Sequence, residues 1–320
     1  MKLFFACLLS FLSYLSIAQS GNSEVAFLKK DSIVSRLDAY TQVFYYHKAE
    51  AVQARPLVIQ LHSWSFPADS LRTIGLSTIA KNKDYNYVFP NFRGVNNHPK
   101  ACCSDYVISD IDEAIDWALK NMNVDKKNIY IIGYSGGGYA TLAMYMKSRH
   151  YIKAFSAWAS ISDLAAWYGE SLERKNKYVQ EIISCIGSSG SFETSKAKDR
   201  SPLFWKTPTK RRKNSSLHIF AGIHDGHLSN VVPITQSIVF YNKILLDYKE
   251  KNQSNYVSKA DEKTMVDSQT FPITTTEKLI DRPIYYQKSS KNTLLTIFEG
   301  GHEMLSKAAI EYIEQAIGKK

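Results

Sequence analysis

Apolar residues fall along this chain in short, nearly unbroken runs, each closed by a polar or glycine-bearing turn: RPLVIQLHSW, YNYVFPNFRG, NIYIIGYSGG, AFSAWASISD, SLHIFAGIHD and TLLTIFEGGH. Runs of this length, rich in β-branched residues and without strict alternation, are how parallel strands buried on both faces read. Between them the period lengthens to that of a helix. In SDIDEAIDWALKNM, Ile111, Ala114, Ile115 and Ala118 form one apolar stripe. Strand–helix alternation of this kind predicts a doubly wound α/β fold, a mostly parallel sheet with helices on both faces. The earlier segment SRLDAYTQVFYYHKA alternates more strictly and predicts an antiparallel edge pair. Residues 250 to about 290 break the alternation. A helix is expected from Ser258, and IYYQKSSKNTLLTIF reads as two strands joined by a Ser-Ser-Lys-Asn turn. The segment is too short for its own core, so it reads as an insertion into a single domain spanning residues 24–320.

With 320 residues, 44% of them hydrophobic, the chain can bury a large core. Its first residues, MKLFFACLLSFLSYLSIAQS, have an early lysine, an apolar stretch and a small-residue exit at Ser16-Ile17-Ala18. This is the build of a signal peptide over residues 1–18, so a secreted or periplasmic protein is expected. No later run is apolar enough to span a bilayer, and stable membrane insertion is not expected. Removing Cys7 with the signal leaves Cys102, Cys103 and Cys185. Export permits a disulfide between Cys185 and Cys102 or Cys103, with Cys102–Cys185 as the candidate pair. No CxxC or HxxxH spacing supports a metal site, and no cofactor is implied. The formal charge is +10, with a basic cluster at Lys210, Arg211, Arg212 and Lys213 that reads as a solvated loop. No aromatic–basic motif accompanies it, so nucleic acid is not an expected partner. Nothing in the pattern fixes the oligomeric state.

The glycines in NIYIIGYSGGGYA pose a choice between a phosphate cradle and a nucleophile turn. A phosphate loop needs a lysine that is absent here, and the dinucleotide spacing fails because its sixth position is Thr141. What fits is G-x-S-x-G, Gly133 to Gly137, between a strand and the helical YATLAMYMKS. A serine hydroxyl needs a base, itself held by an acid, and in this architecture both follow the serine at later strand ends. Asp225 follows SLHIFAG and His302 follows TLLTIF, so Ser135, Asp225 and His302 are the candidate catalytic residues. Asp163 is a rival acid. His224 and His227 have the spacing of a metal pair without a suitable carboxylate. The candidate oxyanion donors are the N–H of Gly136 and that of Trp64 in LHSWSF, with Ser63 second; His62 reads as structural.

Together LHSWS, PNFRG, DIDEAIDWA, IGYSGGGYATLA, SPLFW, GIHDGHLSNVVPITQS and FEGGHE, in this order from about Leu57 onward, resemble the α/β-hydrolase superfamily, in particular its prolyl-oligopeptidase-like group. The resemblance implies an α/β-hydrolase fold, Ser135 as nucleophile, Asp225 as acid and His302 as base. It also implies structural roles for Arg93 and Asp110, as a buried ion pair behind the nucleophile. Departures exist. Peptidases of this group usually carry an N-terminal β-propeller, and too few residues precede the first core strand here to build one. The oxyanion loop reads HSW where many relatives have His-Gly, and the aspartate-to-histidine gap is long.

The expected function is therefore an exported serine hydrolase acting on small-molecule or oligosaccharide esters, a carbohydrate esterase of acetyl or feruloyl type. Trp167, Tyr168 and Trp205 are candidate substrate-binding residues, aromatic rings suited to stacking on sugars. One alternative is a serine exopeptidase gripping a free amino terminus, for which Glu170, Glu173 and Glu181 are available. Another is a non-catalytic binding protein on the same scaffold. Pocket shape is expected from the segment after Asp163 and from the insertion.

Overall fold

The structure is a computed structural model that describes residues 25–227, 231–273 and 275–315. The expected signal peptide lies outside the described residues. Ten strands form the sheet: β1 (Lys29–Val34), β2 (Thr41–His47), β3 (Arg55–Leu61), β4 (Asn86–Pro90), β5 (Val124–Tyr134), β6 (Ala154–Trp158), β7 (Ser216–Gly222), β8 (Lys278–Leu279), β9 (Arg282–Ser290) and β10 (Thr293–Phe298). Their order is β1-β2-β4-β3-β5-β6-β7-β10-β9-β8. The six central strands, β4 to β10 in that order, pair in parallel and are the six apolar runs of the sequence. Antiparallel strands close both edges. The described α-helices are α1 (Leu76–Asn82), α2 (Asp105–Asn121), α3 (Gly136–Lys147), α4 (Leu164–Glu173), α5 (Tyr178–Cys185), α6 (Thr194–Asp199), α7 (Thr209–Arg212), α8 (Ile234–Asp247), α9 (Lys259–Ser268) and α10 (Ser306–Glu314).

Two cores explain why the central runs are continuously apolar. Successive side chains of a strand point to opposite faces. On β5, Ile129 and Ile131 join a core with Ile111 and Ile115 of α2 and Leu142 of α3. Tyr130 and Ile132 join a second core with Leu76 of α1 and Ala308 and Ile313 of α10. Both faces of Ile129–Gly133 are covered, so that stretch is continuously buried, whereas the polar residues 125–128 at the start of β5 are exposed or half-buried.

The edges differ in detail from the sequence reading. β1 begins at Lys29, and the first part of SRLDAYTQVFYYHKA is the turn into β2, closed by Ser35 N–H on the Tyr40 carbonyl at 2.8 Å. In the 250–290 segment, the Ser258 hydroxyl accepts from the Asp261 N–H at 3.0 Å and starts α9. The β9–β10 turn is tighter than Ser-Ser-Lys-Asn, because Ser289 and Ser290 still pair with Leu294 and Thr293. Only Lys291 and Asn292 turn, with φ of 52° and 60°, as a two-residue hairpin loop of this twist demands.

Arg93 and Asp110 form a buried ion pair. The Arg93 guanidinium donates to both Asp110 oxygens, at 2.6 and 3.0 Å, and to both Asp38 oxygens, at 2.8 and 3.0 Å. It lies between the rings of Tyr40 and Tyr106, and the Ser35 hydroxyl also contacts the pair. Its partners sit on the β1–β2 turn and on α2, so it clamps the edge hairpin to the sheet. The Arg93 charge draws Asp38 well below the usual carboxylate range, whereas burial pushes Asp110 up.

One member of the basic cluster departs from expectation, while Lys210, Arg211 and Lys213 are exposed. Arg212 is fully buried, and its guanidinium donates to the carbonyls of Met144, Tyr145, Ser148 and His150, at 2.7 to 3.1 Å. Met144 and Tyr145 lie in the last turn of α3 and Ser148 and His150 just beyond it, where a cation also meets the negative end of the helix dipole. Burial lowers Arg212 to about 10, which leaves it charged at neutral pH. Arg211 adds a bond to the Ser148 carbonyl at 3.0 Å. Within a run that is otherwise exposed, Arg212 therefore anchors the helix that follows Ser135.

Arg93→Met should lower the unfolding free energy by about 3–5 kcal/mol in urea titrations, because it strands Asp110 as an unpaired buried acid. Replacing both partners with apolar residues should cost clearly less. A single-variant loss below about 1 kcal/mol would refute the clamp.

Candidate active site

Ser135 stands between β5 and α3 with φ 58° and ψ −119°, outside the region that L-residues normally occupy. The turn is so tight that a Cβ on Gly133 would collide with the Gly137 carbonyl, and one on Gly137 with the Leu61 carbonyl. Glycine two residues either side of the serine is therefore a packing requirement. The Ser135 N–H donates to the Trp158 carbonyl at 2.9 Å, which ties the turn to the end of β6.

The residues that reach the serine arrive from two other strand ends. The Ser135 hydroxyl donates to His302 Nε2 at 2.9 Å, and His302 Nδ1–H donates to Asp225 Oδ2 at 2.7 Å. Asp225 is almost wholly buried, and its other oxygen accepts from the Val232 N–H at 3.1 Å. The Tyr134 hydroxyl donates to the His302 carbonyl at 2.7 Å and steadies the histidine loop. Burial pushes the Tyr134 phenol up, so it stays protonated as a donor. Such a relay can take a proton from serine as its oxygen attacks a carbonyl. Asp163 is not in it. Its carboxylate caps α4, accepting from the N–H groups of Ala165 and Ala166 at 2.8 and 3.2 Å.

Gly136 and Trp64 are in contact, since a Cβ on Gly136 would strike the Trp64 backbone nitrogen. Gly136 opens α3, so its N–H has no acceptor within the helix. The Trp64 loop is held from several sides. The Trp64 indole N–H donates to Glu181 at 2.7 Å, and its carbonyl accepts from Asn96 N–H at 2.9 Å. Asn96 in turn accepts from the Cys102 N–H at 2.8 Å. Cys102 is joined to Cys185 by a disulfide with a Cα–Cα distance of 5.7 Å, and Cys103 is a buried free thiol. His62 stacks on Phe92 at 3.8 Å with both ring nitrogens against backbone carbonyls, and burial lowers its pKa.

A cleft of about 560 Å³ opens beside Ser135 and His302, walled by Ser63 to Phe66, Arg72, Tyr134 and Tyr178. The three aromatic residues expected to stack on substrate do not line it. Trp167 is buried edge-on against Trp64 at 4.8 Å, with its indole N–H on the Val231 carbonyl. Tyr168 stacks on Phe192 at 3.9 Å, and Trp205 lies under the Lys147 ammonium at 4.1 Å with its N–H on the Asp199 carbonyl. Each ring already has an intramolecular partner. No described residue of the 250–290 segment lines it either; Gln269 of that segment meets His224 of the acid loop at 3.2 Å. His224 also pairs with Glu299 at 2.9 Å, and no cluster of metal-binding side chains occurs among the described residues. Arg72, Phe66 and Tyr178 were not singled out by the sequence, where nothing in their spacing marks them.

Glu170 sits on α4 and is not among the residues that line the cleft. Burial raises its carboxyl to about 7, against a lowering by Arg174, whose guanidinium also donates to the Gly226 carbonyl at 2.7 Å.

Residues 75–281 match the family described as Prolyl oligopeptidase family, a stretch that includes Ser135 and Asp225. No curated protein matches the sequence. Among solved structures, an acylaminoacyl peptidase from Pyrococcus horikoshii is 20% identical with a TM-score of 0.53, covering 68% of this chain and 35% of its own. A puromycin-hydrolyzing peptidase from Mycobacterium tuberculosis is 14% identical with a TM-score of 0.57, covering 92% of this chain and 40% of its own. An S-formylglutathione hydrolase from Staphylococcus aureus is 13% identical with a TM-score of 0.55, covering 91% of this chain and 98% of its own. At these identities the structures share the fold, and this chain spans well under half the length of the two peptidases.

Gly136→Ala should reduce kcat by about a hundredfold or more, with a smaller change in KM, because it forces the two N–H donors apart; steady-state kinetics on an activated ester check this. For Glu170 the sign follows from its raised pKa. Its protonated form stabilises the fold at pH values below about 4.5, and that contribution is lost as pH rises through about 7. Thermal unfolding should accordingly show Glu170→Gln raising Tm near about pH 8 and changing it little near about pH 4.

Proposed function

The chain belongs to the prolyl oligopeptidase family of serine hydrolases, and from that premise we propose that it hydrolyses carboxylic esters through an acyl-enzyme on Ser135. The observation that carries this reading is the unbroken Asp225–His302–Ser135 relay at the mouth of a ready-formed cleft. Ser135 Oγ attacks the ester carbonyl while its proton passes to His302 Nε2, and Asp225 holds the resulting imidazolium. The oxyanion faces the N–H groups of Gly136 and Trp64. His302 returns the proton to the departing alcohol, and water then repeats the sequence on the acyl-enzyme to release the acid.

An oligosaccharide ester of acetyl or feruloyl type remains our finer proposal. Its support is now the size of the cleft and the rings of Phe66 and Tyr178 at its wall, in place of Trp167, Tyr168 and Trp205. We further propose export, on the strength of residues 1–18 and a disulfide suited to an oxidising compartment. The peptidase reading draws on the acylaminoacyl peptidase fold relative. A grip on a free amino terminus finds little support, because no carboxylate lines the cleft among the described residues and Glu181 is taken up by Trp64 and Lys177.

The mature protein and Ser135→Ala should be compared on p-nitrophenyl acetate, on acetylated and feruloylated oligosaccharides, and on aminoacyl nitroanilides. We expect ester turnover that falls by at least about a thousandfold in the variant. Turnover of nitroanilides alone would replace the esterase reading with the peptidase one.

A further inference from the structure

The cleft beside Ser135 has an unbalanced charge. Its described lining residues hold two imidazoles, His302 and the backbone-bound His62, and one guanidinium, Arg72, and they include no acidic side chain. Arg72 lies on the loop between β3 and α1 and is exposed. It makes no ion pair with a described residue, and the nearest acid in sequence is occupied, since Asp69 accepts from Tyr45 at 2.7 Å and from Lys30 at 3.4 Å. The neighbouring cation Lys177 differs, being neutralised by Glu181 at 3.0 Å and bonded to the Ser65 hydroxyl at 2.7 Å.

What holds Arg72 is a ring. Its guanidinium carbon sits over the face of Phe66, 3.6 Å from the centroid, and Phe66 lines the same cleft. A guanidinium resting on an aromatic face is oriented at little cost and keeps its in-plane N–H groups free. That edge is a fork matched to the two oxygens of a carboxylate. We infer that this cleft selects esters that carry a carboxylate near the scissile bond, and that Arg72 is the residue that recognises it. The inference rests on the ester-hydrolase reading and names its substrate class: an acidic acyl group, or an acidic alcohol such as a sugar acid.

Two matched probe pairs test it on the mature protein. Mono-p-nitrophenyl succinate against p-nitrophenyl butyrate places the carboxylate on the acyl side. The acetyl ester of para-hydroxybenzoate against that of its methyl ester places it on the leaving side. We expect at least one pair to favour the anion by roughly ten- to hundredfold in kcat/KM at low salt, with the ratio shrinking as salt is added. Arg72→Ala should bring that ratio to within about threefold of unity, and Arg72→Lys should keep part of it. Each ratio compares two substrates on one protein, so a general loss of activity cannot mimic the effect. Ratios near unity in the wild type, or a preference that survives Arg72→Ala, would overturn the inference while leaving the esterase intact. No turnover of any probe would overturn the ester-hydrolase reading, and the inference with it.

Discussion

The chain can bring a serine hydroxyl to the edge of its sheet only because backbone crosses backbone there without side chains between. At the turn after β5, Gly133 meets the Gly137 carbonyl, Gly137 meets the Leu61 carbonyl, and Gly136 lies against Trp64. These approaches hold Ser135 at a positive φ that it would otherwise leave. The strain is sustained by both ends of the segment. β5 is central in the sheet, and the far end of α3 is tied down by the buried Arg212, which occupies four carbonyls around its last turn.

Around that turn, the remaining parts are placed by links that are distant in sequence. The loop at Trp64, our proposed oxyanion donor, is joined through Glu181 to α5 and through Asn96 to the Cys102–Cys185 region. The disulfide therefore does more than restrict the unfolded chain. It closes a ring of contacts in which the loop, α5 and the start of α2 must move together. Tyr134 and the buried Asp225 do the same for the histidine, fixing it from its backbone and from its ring. The result is a site in which each reacting group is held by a neighbour with its own support.

Much of this was legible in the sequence, for physical reasons that differ by residue. The six central strands announced themselves because both faces are buried, which keeps polar residues such as Gln60, Ser156 and His218 few. Ser135, Asp225 and His302 stood at strand ends where their chemistry requires them, and the structure brings the three together. Trp167, Tyr168 and Trp205 stand outside the cleft because a ring above a strand end can as well pack on its own chain: Trp167 is buried, and the half-buried Tyr168 and Trp205 lie against Phe192 and Lys147. Arg212 was misread for the opposite reason. Its partners are carbonyls at a helix end, and carbonyls leave no mark in a sequence. Arg72 and Phe66 sit on an aperiodic loop, where side-chain direction is decided by tertiary contacts alone.

The central claim is that Ser135 is a nucleophile activated by His302, and covalent trapping addresses it without any assumption about substrate. The mature protein would be treated with an alkyl fluorophosphonate, and the adduct located by intact-mass analysis and peptide mapping. The account predicts one adduct per chain, on Ser135, with labelling slowed at least about a hundredfold by His302→Ala. Labelling at another residue, or labelling of Ser135 at an undiminished rate without His302, would contradict it.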